Sequence, residues 1–234
     1  MDRIDLLRAA PERTALLFDV DGTLAPIVPR PEDARVPDET RAELRRLAGR
    51  YALVACVTGR TADVARGILG VDELRVIGEH GLELDPEAEE WAHRIHSFAD
   101  AADWPAERKR LSVSFHWREH PEAQPVIERI AAAGEQAGFR VRWGRKVIDV
   151  IPPVEADKGT AIRYLLDQHP DVTQALFAGD DTTDVEGFRG LRESGADPAV
   201  CVAVVGPGSP DALREAADLV VDGPEGLVAL MRTL

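Results

Sequence analysis

At 234 residues the chain is long enough for one large domain or two small ones. An apolar fraction of 44% is ample for a core, yet no apolar run approaches the length that spans a bilayer, so no membrane partner is expected. A formal net charge of −14 argues against nucleic acid, which needs a basic face, and leaves any anionic ligand dependent on local cations.

In chain order, the first strand is expected over 14–20, where Leu16, Leu17, Phe18 and Val20 form a continuous apolar block. It ends in Asp19-Val20-Asp21-Gly22-Thr23. Side chains two apart on an extended chain share a face, so Asp19 and Asp21 approach one point as the strand gives way at Gly22. Asp-Gly is also an ordinary turn pair. The simplest use of two carboxylates at the end of a buried strand is a divalent cation plus a nucleophile.

A helix follows at about 38–49, with Asp38 as N-cap and Gly49 as stop. A strand over 52–58 ends in Thr58-Gly59-Arg60, then come a helix at 61–69 and a strand at 74–78. The interval from 83 to 155 breaks this alternation. It carries strand-like 111–117, 139–143 and 146–151 with helices near 86–98 and 121–137, which reads as a small α+β insert. All four tryptophans (Trp91, Trp104, Trp117, Trp143) lie there, as the core of a small domain requires. Alternation resumes with Asp157-Lys158-Gly159 opening a helix to Gln168. A strand over 175–179 leads to Gly179-Asp180-Asp181-Thr182-Thr183-Asp184, with a helix at 184–193. A strand at 199–205, a helix at 210–217, a short strand at 218–221 and a helix from Pro224 complete the chain. Strands alternating with helices mean a parallel sheet covered on both faces.

Four polar segments at strand or helix ends, in this order, make the chain resemble the haloacid dehalogenase-like (HAD) phosphohydrolases from about Thr14 onward. Within them it is most similar to the trehalose-6-phosphate phosphatases. The further detail is Gly78-Glu79-His80-Gly81, residues 111–118 (LSVSFHWR), and Gly144-Arg145-Lys146-Val147-Ile148-Asp149-Val150 leading into Asp157-Lys158-Gly159. The resemblance implies a Rossmann-like α/β core from residues 1–82 and 156–234. The α+β insert over 83–155 would be a C2-type cap that closes over the site and selects the leaving group.

The chemistry agrees with that resemblance. Phosphate monoesters are so slow to hydrolyse that enzymes accelerate them up to ~10²¹-fold. An aspartyl-phosphate on Asp19 splits the step in two. Asp21 would protonate the leaving oxygen and then deprotonate water; a close second carboxylate favours its protonated form. Oxygen ligands point to Mg²⁺, with Asp19 and Asp180 as direct side-chain ligands, Asp181 and Asp184 as water-mediated or outer contacts, and the Asp21 carbonyl added by the resemblance. No His/Cys set has zinc spacing. These carboxylates and a dianionic phosphate call for another cation, because a charge pair at 4 Å is worth ~4 kcal/mol at an effective dielectric of 20. Lys158 suits that role, touching both Asp19 and the phosphoryl group, although a lone Lys-Gly is by itself a surface feature. The Thr58 hydroxyl and Gly59 amide would complete the phosphate cradle.

By resemblance, Thr23, Gly59 and Arg60 bind substrate in the core, and Glu79, His80, His116, Arg118 and Lys146 match subfamily motifs. His116 and Arg118 share a face of the expected strand, which would suit one ligand or cross-strand pairing. Two positions depart from the family pattern: Asp149 stands where a Glu is usual and Ile151 where an Arg is usual. The leading function is a Mg²⁺-dependent phosphatase of trehalose 6-phosphate. The alternatives are a phosphatase of sucrose phosphate or mannosyl-3-phosphoglycerate, and a non-catalytic phosphosugar-binding module.

Cys56 and Cys201 form no disulfide framework. By HAD strand order their strands lie three positions apart, beyond disulfide reach, so both are expected as buried thiols. No positive, apolar and small-residue series marks a signal peptide at the N-terminus, so cytoplasmic residence is expected.

Overall fold

A computed structural model describes residues 2–144 and 146–234. Arg145, within one of the motifs quoted above, lies outside the described residues. The first elements are α1 (Arg3–Ala9), β1 (Thr14–Phe18), α2 (Asp38–Ala48), β2 (Leu53–Val57), α3 (Ala62–Leu69) and β3 (Arg75–Ile77). Next come α4 (Pro86–Ala101), β4 (Glu107–Arg108), β5 (Val113–His116), α5 (Gln124–Gln136), β6 (Arg140–Gly144) and β7 (Val147–Ile151). The last are α6 (Lys158–Asp167), β8 (Gln174–Gly179), α7 (Thr182–Glu193), β9 (Ala199–Val205), α8 (Asp211–Ala216), β10 (Leu219–Asp222) and α9 (Gly223–Thr233).

The chain divides into two compact units, residues 1–81 with 157–234, and residues 82–156. The first holds a six-stranded parallel sheet in the order β10-β9-β8-β1-β2-β3. From β1 the chain steps outward to β3, then returns to β8 on the other side of β1 and steps outward to β10. That reversal makes the carboxyl ends of β1 and β8 a topological switch point, where α/β sheets leave a crevice. Every residue of β1 and β2 is buried, as central strands under helices on both faces require. Strand β9 is buried from its second residue onward.

The second unit is an antiparallel sheet in the order β4-β5-β7-β6. One face carries Val113, Phe115, Ile148 and Val150, packed with Ile95 of α4 and Ile127 of α5. Trp117 is buried in that core and Trp91 and Trp104 pack against it, whereas Trp143 is half exposed. Among the described residues, no helix is long and apolar enough to cross a membrane. Cys56 on β2 and Cys201 on β9 are free and buried, with two strands between theirs.

Several boundaries differ from the sequence reading. Asp38 is the first residue of α2, and its N-cap is Pro37, in extended conformation. The Asp38 carboxylate therefore acts within the first turn, beside Arg41 at 3.2 Å. Helix α7 starts at Thr182, two residues early, because Asp181 caps it through the Thr182 amide at 2.7 Å. Strand β1 stops at Phe18, since Leu24 and Ala25 both bond back to the Val20 carbonyl and close a tight turn. Helix α1 and strand β4 carried too little periodicity to be read.

Candidate active site

The carboxyl ends of β1, β2 and β8 bring together Asp19, Thr58 and Asp180, because those strands are in-register neighbours. Lys158 arrives from the first turn of α6. That helix start is fixed by Asp157, which accepts from the Thr160 amide at 2.7 Å while its own amide donates to Thr160 Oγ1 at 2.9 Å. Helices α6 and α7 then pack backbone to backbone: a Cβ on Gly190 would lie 2.3 Å from the Gly159 Cα. This close approach brings Asp184 of α7 to Lys158.

Lys158 Nζ donates to Asp184 Oδ1 at 2.6 Å and sits 2.9 Å from Asp19 Oδ1. All three side chains are buried, with relative exposures of 2% for Lys158, 0% for Asp184 and 5% for Asp19. Burial works against the charge on Lys158, but the Asp184 and Asp19 carboxylates outweigh it and hold the ammonium protonated well above the usual lysine range. The other oxygen of Asp184 accepts from the Asp180 and Asp181 amides, each at 3.0 Å. Asp184 thus buttresses both the cation and the loop that presents Asp180.

Asp19, Asp180 and Asp184 each offer an oxygen, all within 4.8 Å of one another. Burial pushes Asp19 up to about 7, with Lys158 opposing and Asp184 and Asp21 adding to the rise. Asp180 is pushed up to about 9, by burial first and then by the Asp19 and Asp184 charges. One lysine cannot neutralise three crowded carboxylates. An all-oxygen set that is short of positive charge fits a hard divalent cation. Asp180 also needs the space left at Gly22: φ there is +80°, and a Cβ would sit 2.0 Å from Asp180 Oδ2.

Asp21 is not one of these three carboxylates, although its charge acts on Asp19. The strand has already ended, so the alternation expected to align it with Asp19 does not reach it. Both its oxygens are held by Arg60: Nε donates at 2.6 Å and Nη2 at 2.7 Å. Asp181 spends its carboxylate on capping α7 and is not in the cluster of three. The Thr58 hydroxyl accepts from the Arg60 amide at 3.3 Å. The Arg60 carbonyl accepts from the Glu79 amide at 2.7 Å and the Thr58 carbonyl from the His80 amide at 2.8 Å. Glu79 and His80 both adopt positive φ, and this strained turn braces the 58–60 loop. Thr23 is fully buried, and its hydroxyl has no hydrogen-bond partner among the described residues.

In the second unit, the candidate residues are exposed. His116 ends β5, its Nε2 2.6 Å from Glu107 Oε2 of β4. Arg118 lies past the strand, in a turn, so it does not share a strand face with His116 as the sequence suggested. Strand β5 ends at His116, although Trp117 continues the inward series of Val113 and Phe115 and its amide bonds the Lys146 carbonyl at 3.2 Å. Lys146 sits in the β6–β7 turn at φ 59°. Asp149 accepts from Lys109 Nζ at 3.4 Å and from the Ser114 hydroxyl, and Ile151 is buried with Leu82, Leu111 and Val154. The sequence reading missed Lys109 and Ser114 as partners of Asp149, and Thr160 as the partner of Asp157. A capping signal, Asp157-Lys158-Gly159-Thr160, was there to be read for the second pair.

A family model described as trehalose-phosphatase matches residues 17–106 and 105–210. An uncharacterized glycosyl hydrolase of Mycobacterium tuberculosis is 32% identical over 208 residues, covering 78% of this chain and 16% of that protein. The trehalose-phosphate phosphatase of Mycobacterium marinum is 32% identical over 209 residues, covering 78% of this chain and 53% of that protein. The chain thus spans about half the length of that phosphatase and a smaller part of the hydrolase. Among solved structures, the C-terminal domain of C. albicans trehalose-6-phosphate phosphatase superposes with a TM-score of 0.80 at 22% identity, covering 99% of this chain and 95% of that one. The α/β fold, with a parallel sheet and a separate antiparallel sheet, is therefore that of HAD-like trehalose-phosphatase structures. The family match runs from within β1 to the loop before α8 and takes in the ends of β1, β2 and β8 and the start of α6: the chain belongs to the trehalose-phosphatase family.

Proposed function

We propose that the chain hydrolyses trehalose 6-phosphate to trehalose and phosphate, using Mg²⁺, through a covalent phosphoryl intermediate on Asp19. The observation that carries this reading is the buried Asp19–Lys158–Asp184 set beside Asp180, a carboxylate nucleophile with one cation and a surplus of negative charge. A divalent cation held by Asp19 and Asp180, within reach of Asp184, would supply charge neutralisation for the incoming dianion.

The chain's own residues carry the steps. Lys158 and the Thr58–Gly59 loop hold the phosphoryl oxygens in line with Asp19. The Asp19 oxygen attacks phosphorus; the bond from phosphorus to the sugar oxygen breaks, and Asp21 gives its proton to that oxygen. Asp21, now a carboxylate, takes a proton from water. The water oxygen attacks phosphorus, the bond to Asp19 breaks and inorganic phosphate leaves. Residues 83–155 act as the cap of this reading, with His116, Arg118 and Lys146 contacting the sugar or its phosphate and Glu79, His80, Thr23 and Arg60 supporting the substrate from the core. The proposed setting is the cytoplasm.

Phosphate release measured with Mg²⁺ over trehalose 6-phosphate, sucrose phosphate and mannosyl-3-phosphoglycerate tests this. The expected outcome is the highest kcat/KM on trehalose 6-phosphate. A higher value on another sugar would replace the substrate but keep the chemistry. No release from any of them, with binding retained, would make the chain a phosphosugar-binding module.

A further inference from the structure

We propose that Arg60 changes partner in each turnover, gripping the Asp21 carboxylate before substrate binds and passing to the substrate phosphoryl oxygens when they arrive. This rests on the reading of Asp21 as the acid–base residue and assigns how it is made available. The observation is the two-pronged contact at 2.6 and 2.7 Å, which occupies both Asp21 oxygens. While it lasts, each Asp21 oxygen already accepts from the guanidinium, and one lone pair on each is committed to Arg60.

Three features favour exchange over a fixed support. First, the Arg60 backbone is tied down on both sides, its amide to Thr58 Oγ1 and its carbonyl to the Glu79 amide, so only the side chain needs to move. Second, Arg60 follows Thr58 and Gly59 in the loop assigned to the phosphate, at the same sheet edge as Asp19. Third, a guanidinium fork fits phosphate as well as carboxylate, and a dianion attracts it more strongly than a monoanion. The Nε–Nη2 edge cannot close on both partners at once, and Nη1 of the other edge donates to the Pro31 carbonyl. Phosphate arrival and Asp21 release are then two sides of one equilibrium. The third contact, Arg60 Nη1 to the Pro31 carbonyl at 3.1 Å, has to lengthen or break as the guanidinium moves.

Calorimetric binding of inorganic phosphate, with Mg²⁺ present, to the wild type, Asp21→Ala, Arg60→Ala and the double variant tests the exchange. Arg60→Ala alone is a poor guide, because it removes a phosphate contact together with the contact that had to break. Asp21→Ala tightens phosphate by lost repulsion in either background, and by a freed Arg60 only where Arg60 is present. The expected tightening is therefore about fivefold or more greater with Arg60 than without it. Equal tightening in both backgrounds overturns the exchange. Should Arg60→Ala not fold, Arg60→Lys serves in its place, since it keeps a charge and loses the fork. Failure of the acid–base reading would show separately, as Asp21→Asn retaining full turnover, which phosphate binding does not measure.

Discussion

The edge of the parallel sheet and the turns of the antiparallel one both carry charged groups, but under opposite physical conditions. Asp19, Lys158 and Asp184 are sealed from solvent, so each charge requires the others and their geometry is over-determined. His116, Arg118 and Lys146 are exposed, and the pairing of His116 with Glu107 lies where ion pairs contribute little. A buried set is preorganised and costly to alter. An exposed set exchanges partners cheaply. Chemistry suits the first and recognition of varied sugars suits the second. Arg60 and Asp21, both in the first unit, are partly buried and strongly paired, a condition intermediate between those two that suits a moving part.

The sharpest way to break this contrast is Asp19→Asn. The amide is nearly isosteric but forms no acyl phosphate, so phosphate release should fall at least ~10³-fold while thermal unfolding remains cooperative. Turnover within tenfold of wild type would take the chemistry away from the buried edge.

Lys158→Met addresses the same edge through stability. The substitution leaves two buried carboxylates facing each other without their cation, and removing one partner of such a set costs ~3–5 kcal/mol. Denaturant unfolding at neutral pH should show that loss, shrinking toward acid as the carboxylates take up protons. A loss under ~1 kcal/mol would mean that the cluster is solvated and not rigid.

This difference in environment also explains what could be read from the sequence. Asp19, Lys158 and Asp180 were legible because a charged residue at the end of an apolar run has few explanations other than a site. Asp184 was legible as a neighbour, but not its role as the anchor of Lys158, which depends on the contact of α6 with α7 at Gly190 and Gly159. Asp21 was placed with Asp19 by strand alternation; the strand ends before either residue, yet the Asp21 charge still acts on Asp19. Arg118 was placed with His116 by the same rule, but the strand ends at His116 and Arg118 lies in the turn that follows. Alternation holds within a strand and nothing local announces where the strand stops.

A third test uses the crowding itself. Asp19 is pushed up to about 7 and Asp180 to about 9, from an ordinary value of 3.8. The metal-free folded state therefore binds more protons than the unfolded chain between about pH 4 and 9, and stability must fall as pH rises through that window. The slope is at most ~1.4 kcal/mol per pH unit for each proton. Denaturation in chelator should show the fall, and added Mg²⁺ should flatten it by favouring the ionised carboxylates. Stability that rises with pH in chelator would contradict a site short of cations.

The smallest effect expected is on the exposed side, and it separates substrate choice from chemistry. Arg118 lies in a turn beyond β5, so Arg118→Ala should leave folding intact. If its guanidinium contacts the sugar or its phosphate, kcat/KM for trehalose 6-phosphate should fall by ~1.5–3 kcal/mol, the worth of a charged hydrogen bond, or roughly tenfold to a hundredfold. A small aryl phosphate offers no sugar for Arg118 to hold, so its hydrolysis should be almost unchanged. The ratio of the two losses is the informative quantity, because a folding defect would lower both together. Equal losses on both substrates would place Arg118 in the catalytic machinery or in folding, and the division of labour between the buried edge and the exposed turns would not stand.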